Sequence, residues 1–223
     1  HINLHIPHGK VTAIVGASGS GKTTLLKLLL KFYPPTQGTL SYNDTDISEL
    51  SAKKIREQCG VVMQEGYIFS DTIERNICTG DEKINKERLK IAIETANIGD
   101  FINTLPLGIH TKIGAAGNGI SGGQKQRILI ARAVYKNPQY IFFDEATSAL
   151  DAENEHIIHN NLQAFFKGKT VVIIAHRLST VKNADQIVVL KAGKIVEIGN
   201  HNALVKEKGE YFNLVKNQLE LGD

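Results

Sequence analysis

The stretch Gly16 to Thr23, with the sequence GASGSGKT, constrains the fold more than any other, because it fits the pattern G-x-x-x-x-G-K-[ST]. An apolar run typical of a strand, Val11 to Val15, precedes it, and a leucine-rich run typical of a helix follows it. In that context the glycine-rich backbone points its N–H groups at phosphate oxygens, and the following helix adds the positive end of its dipole. Lys22 then reaches the terminal phosphates and Thr23 ligates Mg²⁺. The stretch therefore predicts a nucleoside triphosphate site; the alternative is an ordinary glycine-rich turn that contains a lysine.

Composition and charge narrow the class of protein. With 223 residues, of which 42% are hydrophobic and 22% are charged, the chain is long enough for one large domain with a full core. Lys27 and Lys31 interrupt the leucine-rich run, and no apolar stretch reaches the length of about 18 residues that a membrane span needs. The net charge of +3 comes from scattered basic residues, which gives no support to nucleic-acid binding.

The sulfur-containing residues add two expectations. Cys59 and Cys78 lack a partner at metal-ligand spacing, so we expect buried thiols in a reducing, cytoplasmic setting rather than a zinc site. The only methionine is Met63, so His1 is not an initiator residue. We therefore expect a processed product or a piece of a longer protein.

Apolar runs alternate with helix-like stretches along the chain, which predicts an α/β fold built on a mostly parallel sheet. The predicted strands are residues 2–6 at an edge, 10–15, 39–42, 60–64, 140–145 and 171–176, followed by a hairpin of 186–190 and 194–198. The predicted helices are residues 22–32, 52–58 and 203–219, with a helical insert at about 71–135. We expect a single domain over residues 1–223, with a core of 1–70 and 136–223 and a helical subdomain at about 71–135.

Asp144 and Glu145 form the second strong signal, because they close an almost wholly apolar run that is typical of a central parallel strand. Ligands of such sheets gather at the carboxyl ends of the strands, where Gln64 and His176 are also predicted to lie. We expect Asp144 to support Mg²⁺ and Glu145 to be the general base that activates water. The alternative is a pair of surface carboxylates at a strand end.

A second small-residue turn, Ile120 to Gln124, opens another helix-like stretch and predicts a second anion site. One nucleotide has one γ-phosphate, which the first loop already binds. Two such sites in one chain are explained if this one contacts the nucleotide held by a second copy, which predicts a head-to-tail dimer with ATP between the copies.

Taken together, four motifs of this chain resemble those of the nucleotide-binding domain of an ABC transporter: residues 16–23, 120–124, 143–151 and 175–177. The resemblance covers essentially the whole chain. It implies a P-loop NTPase (RecA-like) core with a mostly parallel sheet, a small antiparallel β part that is truncated at the N-terminus, and a helical subdomain insert. It also implies Mg²⁺-dependent ATP hydrolysis that powers transport.

The resemblance assigns a role to each matching residue. The implied catalytic residues are Glu145 as the general base, His176 as the switch histidine and Gln64 as the Q-loop glutamine. Thr23, Gln64 and Asp144 are the implied contacts of the metal. The implied nucleotide contacts are Gly16, Ser18, Gly19, Ser20, Gly21, Lys22, Thr23 and Thr24 in the first loop, and Ser121, Gly122, Gly123, Gln124 and the D-loop residue Asp151 from the partner copy.

The segment from Gln64 to Ile77 resembles the part of exporter-type domains that docks the coupling helices of the membrane domain. The resemblance therefore implies a transmembrane domain, fused upstream, and a location on the cytoplasmic face of the cell membrane. The C-terminal stretch from Gly209 to Gly222 is similar to that of bacterial peptide and bacteriocin exporters that carry a peptidase domain.

Three departures from the family pattern are visible. Ile120 stands where leucine is usual, a change of similar volume that we expect to be tolerated. Lys112 and Ala115 replace glutamates, which puts acidic contacts to the coupling helices in doubt. The aromatic residue that stacks on adenine lies before His1 in the family pattern, and since such stacking is worth roughly 1–3 kcal/mol, we expect weakened nucleotide affinity.

Two other classes of function were weighed against transport. A soluble ABC-type ATPase acting on DNA or ribosomes is favoured by long coiled-coil insertions or a duplicated cassette, and the sequence has neither. A small-molecule phosphotransferase with a P-loop leaves the second glycine turn and Asp151 unexplained.

Overall fold

A computed structural model describes residues 2–114, 117, 119–175 and 178–220 of the chain. The described strands are β1 (Val11–Val15), β2 (Ser41–Tyr42), β3 (Thr45–Asp46), β4 (Cys59–Val62), β5 (Tyr140–Asp144), β6 (Thr170–Ile174), β7 (Gln186–Lys191) and β8 (Lys194–Gly199). The described helices are α1 (Lys22–Leu29), α2 (Ala52–Gln58), α3 (Ile73–Ile77), α4 (Lys86–Thr95), α5 (Gly99–Thr104), α6 (Gly122–Tyr135), α7 (Ala152–Phe166), α8 (Leu178–Val181), α9 (His201–Glu207) and α10 (Glu210–Glu220).

The chain divides into two compact units. The first unit contains His1–Cys59, Phe142–Asp144 and Gly168–Asp223, and the second contains Gly60–Ile141 and Glu145–Lys167. Among the described residues, no helix is both long enough and apolar enough to cross a membrane.

The sheet of the first unit has the strand order β5-β6-β1-β7-β8. β1 is parallel to both of its neighbours, with Ala13 in register with Ile173 of β6 and with Ile187 of β7. All five residues of β6 are buried, as are the last four of β1, which is why both strands are continuous apolar runs in the sequence. The parallel arrangement places the ends of β1 and β5, where the predicted site residues lie, at the same edge of the sheet.

Strands β7 and β8 form the predicted antiparallel hairpin. Its two-residue turn, Ala192 and Gly193, has φ values of 49° and 75°, which match the twist of a tight hairpin. A second antiparallel pair, β2 with β3, is two residues long on each side. These two pairs account for the antiparallel part of the predicted fold.

Two predictions about the first unit are wrong. Residues 2–6 form no strand, because a strand needs a paired neighbour and these described residues contact the sheet instead through the Gln186 side chain, whose Nε2 donates to the His5 carbonyl at 3.0 Å. The predicted C-terminal helix is divided into α9 and α10, since Lys208 adopts a left-handed φ of 53°. The Glu197 carboxylate then accepts hydrogen bonds from the first N–H groups of α10, at Glu210 and Tyr211.

The second unit is organised around helix α6, which packs against α3 and α4. Its apolar residues lie almost all round the helix, and those that are buried include Ile128, Leu129, Ile130 and Val134. Such a helix belongs to the interior of a unit rather than to its surface.

Candidate nucleotide site

The phosphate loop joins the end of β1 to the start of α1 in the first unit. Lys22, the first residue of α1, is only 6% exposed, and its Nζ donates to the carbonyl oxygens of Gly16 at 2.9 Å and Ala17 at 3.0 Å. The loop therefore wraps around a buried ammonium group. Its tip, from Ala17 to Gly19, is exposed, so an anion can approach that charge from solvent.

The backbone of this loop requires glycine at two points. Gly16 has a φ of 150°, and a Cβ there would overlap the carbonyl oxygen of Leu190. Gly21, the N-cap of α1, has a φ of 103° and offers no side chain between the helix N-terminus and a ligand. The first N–H groups of α1 therefore remain accessible to phosphate oxygens.

Ser20 lies inside the loop and is the clearest sign that the loop binds a ligand. Its backbone carbonyl accepts a hydrogen bond from Gly193 N at 3.0 Å, which ties the loop to the β7–β8 turn. Its hydroxyl is buried and has no hydrogen-bond partner among the described residues. A buried hydroxyl in that position fits a site that a phosphate group completes.

Thr23 and Asp144 fit a magnesium site. The Thr23 hydroxyl donates to Asp144 Oδ2 at 3.0 Å, and Asp144 is 1% exposed at the end of β5. One carboxylate and one hydroxyl beside a phosphate site are typical protein ligands of Mg²⁺, which takes its remaining oxygens from phosphates and water. Among the described residues, no group of three or more His, Cys, Asp or Glu side chains gathers to hold a metal.

Glu145 and Gln64, both in the second unit, contact each other through their side chains. Gln64 Nε2 donates to Glu145 Oε2 at 3.3 Å. Glu145 has a φ of 52°, a left-handed backbone that costs energy for a residue with a Cβ.

Gln126 supports Glu145, and the sequence analysis missed it. It is buried in α6, and its Nε2 donates to the Glu145 carbonyl at 3.0 Å and to Ser148 Oγ at 3.2 Å. Its Oε1 accepts from Ala149 N at 2.8 Å. The amide thus fixes the backbone on both sides of residues 146–148. In the sequence, the feature that could have indicated this role is the presence of a polar residue within the apolar part of α6.

Ser121 caps helix α6. Its hydroxyl accepts from Gln124 N at 3.1 Å, while the Gln124 side-chain oxygen accepts from Ser121 N at 2.8 Å, which makes a capping box. Because the hydroxyl acts as an acceptor in this bond, its own proton is left for another oxygen. A Cβ on Gly122 would lie 3.6 Å from Ala149 Cβ, and one on Gly123 would lie 3.2 Å from the Ala149 carbonyl oxygen.

Asp151 caps helix α7. Its Oδ1 accepts from Asn154 N at 2.9 Å and its Oδ2 accepts from Asn154 Nδ2 at 2.8 Å. These hydrogen bonds from Asn154 lower the pKa of the Asp151 carboxyl below its usual value. Asn154 Oδ1 in turn accepts from Asn97 Nδ2 at 3.0 Å and from Arg127 Nη1 at 3.2 Å.

The remaining predicted residues are placed as follows. Ser18, Gly19 and Thr24 are exposed. Lys112 is also exposed, and its backbone forms an isolated antiparallel β-bridge with that of Thr72. His176 and Ala115 lie outside the described residues.

The parallel sheet, the glycine-bounded loop around a buried lysine and the hydroxyl–carboxylate pair beside it define a P-loop NTPase fold. Comparison with protein families narrows this class: the family described as ABC transporter matches residues 1–148. The chain belongs to the ABC transporter family and is a nucleotide-binding domain of it.

Its relatives include a translocation ATP-binding protein, a flippase and an exporter. The chain is 49% identical to the toxin RTX-III translocation ATP-binding protein of Actinobacillus pleuropneumoniae, over 98% of this chain and 31% of that protein. It is 46% identical to the ATP-dependent lipid A-core flippase of Saccharophagus degradans, over 98% of this chain and 37% of that protein. A solved structure of a bacterial Atm1-family ABC exporter with ATP bound superposes with a TM-score of 0.90 at 40% identity, over 95% of this chain and 37% of that one. The chain thus spans about a third of the length of these proteins.

Proposed function

We propose that this chain is a Mg²⁺-dependent ATPase that powers export across a membrane as the motor domain of an ABC exporter. The buried Lys22 ammonium inside the glycine-bounded loop carries the proposal, because a cation held at that position would attract the terminal phosphates of ATP. The Thr23–Asp144 pair beside it supports the metal requirement. Mg²⁺ would neutralise charge on the β- and γ-phosphates during transfer to water.

Nucleotide binding is assigned mainly to the first unit. Backbone N–H groups from Ser18 to Gly21, with Gly16 providing the turn, would hold the phosphates, and Thr24 in the first turn of α1 extends the same contacts. Thr23 and Asp144 would ligate the metal, with Gln64 as a further metal contact.

Glu145 is the proposed general base. It follows Asp144 directly in the chain, and Gln64 donates to its carboxylate, which orients the oxygen that would take a proton from the attacking water. Gln126 holds the Glu145 backbone in place. His176 is proposed as the residue that contacts the γ-phosphate.

A second copy of the chain would complete the site. Ser121 is exposed at the N-terminus of α6, and its hydroxyl proton is available to a phosphate oxygen because the oxygen itself accepts from Gln124. Gly122 and Gly123 let a phosphate approach the helix N-terminus, and the ionised Asp151 lies at the N-terminus of the next helix. We propose that these residues face the nucleotide of the partner copy in an ATP-dependent homodimer.

The other proposed partner is a transmembrane domain fused upstream, which would place the chain at the cytoplasmic face of the membrane. The division into a core of 1–70 and 136–223 and a helical subdomain at about 71–135 also stays a proposal. A peptide or bacteriocin as the exported substrate stays a prediction of the sequence; a toxin translocation ATP-binding protein is among the relatives.

ATP hydrolysis without an added acceptor tests the proposal. Lys22→Ala should abolish ATP binding, whereas the same change at Lys27, further along α1, should leave binding within about twofold of the parent. Glu145→Gln should abolish turnover and keep ATP binding, and with ATP it should elute as a dimer in size exclusion. Undiminished hydrolysis by Glu145→Gln would exclude this residue as the base, and an ATP-bound monomer would count against the homodimer.

A further inference from the structure

Asp151 is exposed, yet its carboxylate is held in one orientation. Its Oδ1 accepts from the backbone N–H of Asn154 at 2.9 Å, and its Oδ2 accepts from Asn154 Nδ2 at 2.8 Å. Capping of helix α7 needs only the first of these bonds. The second restricts rotation of the carboxylate, which is broad in an aspartate without such a partner. The side chain is therefore ordered more tightly than capping requires.

The side chain of Asn154 is itself held by two donors. Its Oδ1 accepts from Asn97 Nδ2 at 3.0 Å and from Arg127 Nη1 at 3.2 Å. Because both donors face this oxygen, the amide nitrogen has to face Asp151, and the reverse orientation of the amide would bring donor groups together. Asn97 and Arg127 thus determine which group of Asn154 meets the carboxylate.

Arg127, in α6, also holds the backbone of Asn97, because its Nη1 donates to the Asn97 carbonyl at 2.7 Å. Asn97 follows the C-cap of α4 and has a left-handed φ of 47°, which asparagine adopts more easily than most residues. In addition to the hydrogen bonds from Asn154, the charge of Arg127 lowers the pKa of the Asp151 carboxyl. Arg127, Asn97 and Asn154 together form a support network for an ionised Asp151.

We propose that the support network is a set of positioning residues that preorganises Asp151 for contact with a second copy of the chain. The proposal rests on the proposed function, since it takes the ATP-bound homodimer as the state in which Asp151 is used. A carboxylate that is already fixed loses little conformational freedom on association, which strengthens binding between the copies. No member of the network touches ATP in this scheme. The network should therefore affect association of the copies and not the affinity of one copy for ATP.

A purely structural role of the network would be to join α4 to α7, and the chain contains a matched contact that has only this role. Asn161 Nδ2 donates to the carbonyl oxygens of Glu94 at 3.2 Å and Thr95 at 3.3 Å. This is again an asparagine amide between the same two helices. It lies about 15 Å further along α7 than Asp151, so it cannot orient that carboxylate.

The test measures how strongly Glu145→Gln chains associate in saturating ATP and Mg²⁺, by sedimentation velocity over a range of protein concentrations. The affinity of each variant for a fluorescent ATP analogue is measured separately on the monomer. Asn97→Gly accepts the same φ and keeps the carbonyl that Arg127 binds, but it removes the donor to Asn154. Arg127→Met removes the charge and the Nη1 donor from a side chain of similar length. Asn161→Ala is the matched control.

Asn97→Gly should weaken association by about tenfold, because a loss of about threefold at each of two equivalent contacts multiplies in a symmetric dimer. Arg127→Met should weaken association at least as much, and both variants should bind the ATP analogue within about twofold of the parent. Asn161→Ala should lower Tm and leave association within about twofold of the parent. In chains that also carry Asp151→Ala, Asn97→Gly should have no further effect, because the group that it positions is gone.

Parent-like association of Asn97→Gly, or an equal loss when Asp151→Ala is already present, would overturn the proposal. Equal losses of association in Asn97→Gly and Asn161→Ala would also overturn it, since the network would then serve only to join the two helices. Asn97→Gly decides the matter where Arg127→Met fails to fold. A parent that binds ATP and stays monomeric at every concentration would instead overturn the homodimer of the proposed function, and with it the role of Asp151.

Discussion

Replacing Gln126 by alanine should separate catalysis from nucleotide binding. The substitution removes the donor to the Glu145 carbonyl and to Ser148 Oγ, and the acceptor for Ala149 N, all from a buried position. Three hydrogen bonds at about 1 kcal/mol each give a loss of about 3 kcal/mol in the free energy of unfolding. For a chain of this length that lowers Tm by about 5–10 °C, so the fold should persist at assay temperature.

The effect on turnover follows from the same contacts. Without the amide, the left-handed backbone of Glu145 is no longer fixed, and its carboxylate loses its alignment with the attacking water. We expect kcat to fall by about tenfold or more, which corresponds to at least 1.4 kcal/mol in the barrier, while the Kd for ATP changes by less than about threefold.

Steady-state ATPase rates give kcat, equilibrium binding of a fluorescent ATP analogue gives Kd, and thermal unfolding gives Tm. Gln58→Ala, at the exposed end of α2, is the matched control and should change none of them. Parent-like kcat in folded Gln126→Ala would refute the positioning role. A parallel loss of ATP affinity would show that the residue supports the whole site rather than Glu145.

Three further predictions follow from individual contacts. Gly16→Ala should lower ATP affinity by at least about tenfold in equilibrium binding, because the new methyl group overlaps the Leu190 carbonyl and reshapes the loop. Asn154→Ala removes one of the two donors to Asp151, so an NMR titration should show the pKa of this carboxyl rising towards 3.8. In the parent, the hydrogen bonds from Asn154 hold the pKa of Asp151 below that value. The contribution of this helix cap to the free energy of unfolding should therefore be lost as the pH falls through the pKa of folded Asp151. Burial raises the pKa of Cys78 from 9.0 to about 11, so the folded chain should resist iodoacetamide at pH 8 and lose stability as pH rises from about 9 to 11.

Each of these has a simple control. Gly99→Ala, at a glycine with an ordinary φ in α5, should leave ATP binding unchanged, and Asn160→Ala should leave the Asp151 titration unchanged. Cys78 should react at the rate of a free thiol once the chain is unfolded in guanidinium. Equal loss of affinity in both glycine variants, an unmoved Asp151 pKa, or rapid alkylation of folded Cys78 would contradict the corresponding prediction.

Features that depend on neighbouring residues were predictable from the sequence. The phosphate loop is defined by glycines whose φ values no other residue adopts easily, and by a lysine at a fixed spacing. The strands that end at Val15 and Asp144 are continuous apolar runs because both faces are buried, and their shared edge follows from a parallel sheet. The sequence also places Gln64 and Glu145 at the ends of strands, although it does not specify the hydrogen bond between their side chains.

Features that depend on distant partners were not predictable. Gln126 and Arg132 are polar residues in an apolar helix, and the sequence alone does not say that one binds the Glu145 backbone and the other Asn76. Residues 2–6 alternate as a strand does, but a strand exists only where a neighbour pairs with it. The break between α9 and α10 depends on Glu197, a residue of β8 that caps the second helix.

The bond from Gly193 N to the Ser20 carbonyl joins the phosphate loop to a hairpin turn through backbone atoms alone. Because the contact uses only backbone atoms, it constrains the number of residues in the hairpin turn and not the identity of their side chains. Any pair of residues that accepts positive φ at positions 192 and 193 preserves it, whereas inserting one residue moves the N–H group away from the loop. Variation at this turn among natural sequences should therefore take the form of substitutions, and insertions there should coincide with loss of the lysine that the loop encloses.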